Sequence, residues 1–187
     1  MSLKFSHDTL ILDATCVISL YASGKIDQIL KTIPPDITIS AYVKDHEVLR
    51  IYDNALGHHL NFKKVDLNPL IKSNLITIVT IDTENEAEIL ATLASKIIGR
   101  GEAETGAIAI NRNWAIVTDD KKARKVFREL APHIQLVYTL ELMKHWAETN
   151  SISAESITEA LLNIQERASY RPWINHPLYS WWYSYSS

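Results

Sequence analysis

Residues 98–128, IGRGEAETGAIAINRNWAIVTDDKKARKVFR, constrain the fold of this chain more than any other stretch. Two glutamates, two adjacent aspartates and a basic run follow one another within it. Gly101 is expected to break the helical pattern before it. From Glu102 to Asn111 the composition favours a helix, with Ala103, Ala107 and Ile110 on one face. Trp114 to Val117 is a short apolar run centred on the β-branched pair Ile116-Val117 and closed by Thr118-Asp119-Asp120, so it reads as a buried strand. Lys121 to Leu130 reads as an amphipathic helix with Ala123, Val126, Phe127 and Leu130 inward. Asp119 and Asp120 therefore stand at the carboxyl end of a strand. Upstream, TLILDATCVISL at 9–20 repeats the device, because Asp13 closes another apolar run. Ligands of open parallel sheets bind at the carboxyl ends of the strands. The two acidic clusters are thus expected to meet at one sheet edge.

The rest of the chain supplies the alternation that such a sheet needs. Thr9 to Asp13 is read as a first strand, and Ala14 to Ala22 as a helix ended by Gly24. Ile26 to Ile33 is a short helix stopped by Pro34-Pro35. Asp36 to Ser40 alternates like a strand. Ala41 to Leu56 reads as a helix carrying Asp45, His46 and Glu47, and Gly57 to Asn74 as a partly helical insertion. Leu75 to Ile81 and Ile134 to Tyr138 are the remaining strands. Glu84 to Ile98, Leu140 to Thr149 and Ser153 to Ala168 are the remaining helices, the last with Ser153 as N-cap and Glu155 near its first turn. Strands alternating with helices imply a mostly parallel α/β sheet with helices on both faces. Residues 1–150 are expected to form this domain, and 151–187 a C-terminal helix and tail packed on the domain or on a partner. The tail, YRPWINHPLYSWWYSYSS, has three tryptophans and four tyrosines. Large aromatics mostly serve burial, so a strap across the domain is the plain reading. An oligomer contact or a base-stacking platform is the functional one.

Composition narrows the chemistry. A chain of 187 residues fits one domain with a real core. Its net charge of −3 leaves no global electrostatic footprint for nucleic acid, so such binding has to be local. The single cysteine, Cys16, excludes an intramolecular disulfide and a cysteine-rich zinc site and fits a reducing cytoplasm. No apolar run is long enough for a membrane span and no signal-peptide pattern opens the chain, so the expectation is a soluble, cytoplasmic protein.

Carboxylates gathered at one strand edge repel one another, and a divalent cation is the usual compensation. With oxygen ligands and no convincing His cluster, Mg²⁺ or Mn²⁺ suits them. Lys121, Lys122, Arg124, Lys125 and Arg128 follow the acids directly and could neutralise a phosphate backbone beside the metal. Each residue also has a plainer use. Glu102 and Glu104 suit a helix N-terminus, and lie about 200° apart around the helix, so one of them is expected to be structural. One of Asp119 and Asp120 is expected to cap the following helix. Thr15 could cap another, the basic run could be a solvated face, and His58-His59 reads as surface.

LILDATCVISL and GRGEAETGAIAI…AIVTDDKKAR together resemble the paired signatures of PIN-domain ribonucleases, in the branch with a G-E-x-E helix and a T/I-D-D strand end related to VapC-type toxins. The resemblance covers about residues 8–140. It implies a three-layer α/β/α fold, cleavage of RNA dependent on Mg²⁺ or Mn²⁺, frequent homodimers, and often an antitoxin partner. Carried over by position, Asp13 matches the first acid and Thr15 the hydroxyl residue two places on. Glu47 most resembles the second acid, although the usual spacing from Val43 lands on His46 and leaves Asp45 as an alternative. The third acid matches Glu104 or Glu102, and the fourth Asp120 or its neighbour Asp119. Asp13, Glu104 and Asp120 are the implied catalytic set. Thr15, Lys121, Lys122, Arg124 and Lys125 would bind substrate, and Asp13, Glu47, Glu102, Glu104, Asp119 and Asp120 are the candidate metal ligands. A dehalogenase-like phosphatase would need an aspartate where Thr15 stands, and a phospho-receiver would place its acidic pair early rather than late. A catalytically inactive PIN-like module that binds RNA or protein is the remaining alternative.

Overall fold

A computed structural model describes residues 3–53, 61–96 and 99–186. The chain opens with β1 (Thr9–Leu12), α1 (Ala14–Ala22), α2 (Ile26–Leu30) and β2 (Asp36–Ser40). A π-helical turn (Val43–Glu47) leads into β3 (Arg50–Tyr52), then β4 (Phe62–Lys64), α3 (Asn68–Lys72) and β5 (Thr77–Val79). The stretch singled out above forms α5 (Arg100–Arg112), β6 (Ala115–Val117) and α6 (Lys121–Leu130), preceded by α4 (Glu84–Ala94). The chain continues through β7 (Leu136–Val137), α7 (Thr139–Thr149), α8 (Ala154–Arg167) and α9 (Tyr179–Ser186).

Five strands form one parallel sheet in the order β5-β2-β1-β6-β7, with Leu10 paired to Ile37 on one side and to Ala115 on the other. Successive side chains of a strand point to opposite faces, and two cores result. Leu10, Leu12, Ile37, Ile39, Ala115 and Val117 face α1, α2, α3, α7 and α8. Ile11 and Ile116 face α4, α5 and α6 through Leu93, Ala107, Ile108 and Phe127. The result is the expected three-layer α/β/α arrangement. Ile157, Ala160, Leu161 and Ile164 of α8 and Trp182 of α9 belong to the first of these cores. Among the described residues, no helix is long and apolar enough to cross a membrane.

Several expectations need correction. The helix expected over 41–56 stops at Glu47, because Arg50–Tyr52, with Ile51 and Tyr52 favouring extended backbone, pairs antiparallel with Phe62–Lys64. The insertion is helical only at α3, and His58-His59 lies outside the described residues. The strand expected over 75–81 is confined to Thr77–Val79 and that over 134–138 to Leu136–Val137, and the helix expected over 84–98 ends at Ala94 within the described residues. Gly101 does not interrupt a helix. It lies in the first turn of α5, where its lack of a side chain makes room for the Glu47 carboxylate. Leu130 is 42% exposed rather than inward, since α6 ends there.

Candidate metal and nucleic-acid site

All five strands of the main sheet run the same way, so the segments after β1, β2, β6 and β7 emerge at one edge. Asp13 follows β1 and caps α1. Its Oδ1 accepts the Cys16 N–H at 2.9 Å and the Thr15 hydroxyl at 2.8 Å. The residue is only 2% exposed, and its Oδ2 is buried without any hydrogen-bond partner.

Glu47 reaches this edge from the π-helical turn after β2. Val48 N–H bonds Val43 O at 2.9 Å, an i→i+5 closure that places one extra residue in the turn. That residue accounts for the spacing from Val43 that lands on His46 and delivers Glu47 instead. Its Oε1 accepts the Gly101 N–H at 3.2 Å, and a Cβ at position 101 would fall on its carboxylate. Asp45, the alternative, is exposed and paired with Lys44. Burial, then Glu102, Asp13 and Glu104, push the Glu47 carboxyl above its ordinary value.

The two glutamates of α5 both border this cluster. Glu104 is 7% exposed. Glu102 curls back over Gly99 and its own N–H at the helix N-terminus, the use expected of an acid in a first turn. Burial, then the charges of Asp13 and Asp120, push the Glu102 carboxyl up.

After β6 the adjacent aspartates divide. Asp120 is exposed and caps α6, its Oδ1 accepting the Ala123 N–H at 2.6 Å. Asp119 turns inward, with the Thr139 N–H 3.2 Å from Oδ1 and the Cys16 thiol 3.9 Å from Oδ2. Burial and Asp13 raise its pKa to about 6 against the restraint of Thr139 and Arg124. Cys16 is pushed well up by burial, Asp13 and Asp119. Glu47, Glu102, Glu104 and Asp119, from three segments, thus crowd round Asp13, and the upward shifts of Glu47, Glu102 and Asp119 are those of buried, mutually repelling carboxylates. Among the described residues, no three of these side chains stand ready-made as a metal-holding group. The orphaned Asp13 Oδ2 and the all-oxygen donor set nevertheless suit a hard divalent cation.

The basic residues separate as well. Lys121, Lys122 and Lys125 are exposed on α6, and the Lys121 ammonium lies 4.4 Å from the Trp173 ring centroid. Arg124 is 3% exposed. It donates to the carbonyls of Thr118, Val137 and Leu136 at 2.8, 3.0 and 3.1 Å and lies 3.3 Å from the Tyr138 ring centroid. It clamps the ends of β6 and β7 and presents no free face to a phosphate. Thr15 is exposed beside Asp13. Sequence reasoning did not single out Arg100, exposed at the start of α5 over the Tyr42 ring, although it sits inside the GRGEAE motif. It also missed Tyr170, whose phenol stands beside Asp119. Nothing local to the tail sequence announces that contact.

A family model described as a PIN domain matches residues 9–181. No curated protein matches the chain at a significant level.

Proposed function

The chain belongs to the PIN-domain family, a family of nucleases, and we propose that it is a divalent-metal-dependent endoribonuclease that hydrolyses RNA phosphodiester bonds. The observation that carries this reading is the buried, unpartnered Oδ2 of Asp13, ringed by Glu47, Glu102, Glu104 and Asp119. Asp13, Glu47, Glu104 and Asp119 would hold Mg²⁺ or Mn²⁺, and Glu102 and Asp120 form the outer, more exposed rim. When bound, the metal lowers the pKa of a water and neutralises phosphate oxygens. The chain's own residues do the positioning. Thr15 and the Cys16 N–H fix one oxygen of Asp13 and leave the other free, and Gly101 seats Glu47. Lys121, Lys122 and Lys125 stand on the exposed face of α6 for the RNA backbone. Arg124 acts as the clamp under that face.

The likeness of GEAE and TDD to VapC-type toxins supports a finer reading. The protein would be the toxin of a two-component pair, acting in the cytoplasm as a homodimer and silenced by an antitoxin. A small overlapping reading frame upstream would bear this out. A second reading, a non-catalytic PIN-like module that binds RNA or protein, draws on the lack of a ready three-ligand group among the described residues.

One assay separates them. Purified protein and Asp13→Asn are incubated with labelled RNA in Mn²⁺ and in EDTA. The expected outcome is cleavage by wild type in Mn²⁺ only, and at least a hundredfold loss in the variant. Asn still caps α1 while one charge leaves the crowd, so the variant should also melt higher than wild type in EDTA. Cleavage that survives EDTA defeats the metal mechanism, and RNA binding without cleavage supports the inactive module.

A further inference from the structure

Resting on the metal-site reading above, we propose that Tyr170, carried on the C-terminal tail, is a positioning residue whose hydroxyl donates to the Asp119 carboxylate in the metal-loaded protein. Four features hold Tyr170 in place. Ser169 adopts a left-handed conformation, φ 53°, and swings the chain away from the end of α8. The Tyr170 N–H returns to Ile164 O at 3.5 Å. Its ring meets Trp182 edge-on, with centroids 5.8 Å apart and planes at 62°. Trp182 is itself 2% exposed on α9, so the tail behind Tyr170 is anchored in the core.

The hydroxyl is buried and has no hydrogen bond of full geometry, although Asp119 stands close enough to act as its acceptor. Buried phenols normally find a partner, and an unsatisfied one is costly. The ionisable groups whose charge bears on it are Asp119, Cys16 and Tyr138. Asp119 is the charged acceptor among them. Its Oδ1 accepts the Thr139 N–H, its Oδ2 lies 3.9 Å from the Cys16 thiol, and the Thr139 side chain also stands beside the carboxylate. The phenol therefore has a carboxylate acceptor beside it. Hydrogen bonds of this kind fix the orientation of metal-ligating carboxylates. The tail would then complete the site from behind, and its aromatic rings would serve to hold one hydroxyl.

The test uses the full-length chain and Tyr170→Phe, which preserves the ring. Mn²⁺ affinity is measured by electron paramagnetic resonance of the free ion, and melting is followed in EDTA. Loss of an unpartnered hydroxyl should leave the metal-free variant melting at or above wild type. Its Mn²⁺ affinity should nonetheless fall about tenfold, as for other groups that orient metal ligands. Tyr183→Phe, on the exposed side of α9, should keep wild-type affinity. Equal Mn²⁺ affinity in wild type and Tyr170→Phe overturns the inference and leaves the metal reading standing. Lower melting in EDTA together with weaker binding makes Tyr170 a support of the fold, and also overturns it. A wild type that binds no Mn²⁺ removes the metal reading and this inference with it.

Discussion

Asp119 shows how a single side chain can report the state of the site. Its pKa of about 6 in the metal-free fold stands above the 3.8 of an ordinary aspartate. Between those values the folded chain holds a proton that the unfolded chain has lost, so stability must fall as pH rises through that window. The loss is at most about 3 kcal/mol, from roughly two pKa units at 1.36 kcal/mol each. Melting temperatures in EDTA across pH 4–7 should show this decline in wild type, and Asp119→Asn should flatten it. Parallel profiles for the two proteins would mean that Asp119 titrates like a solvated acid and is not part of a crowded cluster. Asp120 offers the contrast. The two aspartates are neighbours in sequence, yet one oxygen of Asp120 is committed to the α6 N-terminus and its side chain is exposed. Sequence could say that one of the pair would cap, but which one depends on the backbone leaving β6.

At the scale of elements, the π-helical turn and the first turn of α5 form one device. The turn gives Glu47 its extra residue of reach, and Gly101 gives it a place to land. Gly101→Ala separates the fold from the site. Ala is better than Gly in a helix by about 0.5–1 kcal/mol, and the atoms nearest the new Cβ would be those of the Glu47 carboxylate, the far end of a long side chain. The variant should therefore melt slightly higher in EDTA while gaining less stability from Mn²⁺ than wild type does. Equal Mn²⁺ gains would show that Glu47 stands outside the site. At its other end α5 is tied down by Arg112, whose Nε lies 2.7 Å from Glu86 Oε1 on α4. Position along the helix thus divides anchoring from chemistry. The strand-end acids of β1 and β6 were legible because an apolar run closed by a carboxylate is a local pattern. The π-helical turn was not, since α-helical spacing is the default and nothing in AYVKDHE marks a wider turn. The β3–β4 pairing was hidden for the same reason, because helical spacing was read on through Arg50–Tyr52.

Over the whole molecule, the order of apolar runs and helices was enough to expect a parallel sheet covered on both faces, and the structure has that sheet. Alternation along β1 and β6 decides it, sending Leu10 and Leu12 to one core and Ile11 to the other. The tail was the least legible part. Its ring density foretold burial, yet of its tryptophans and tyrosines only Trp182 is fully buried, the others being half-buried or, at Tyr183, exposed, and the approach of Tyr170 to Asp119 depends on α8, on the turn at Ser169 and on α9 together. The basic run was half legible. Its exposed lysines lie on one side of α6, whereas Arg124 is drawn inward by three carbonyls at the ends of β6 and β7. The central claim is that these elements converge to hold a divalent cation at Asp13. Crystals of the protein grown with Mn²⁺ and measured near the manganese absorption edge test it most directly. The account predicts an anomalous peak within bonding distance of Asp13 Oδ2, shared with at least two of Glu47, Glu104 and Asp119. Manganese bound only elsewhere on the surface, with Asp13 Oδ2 still unpartnered, would contradict it.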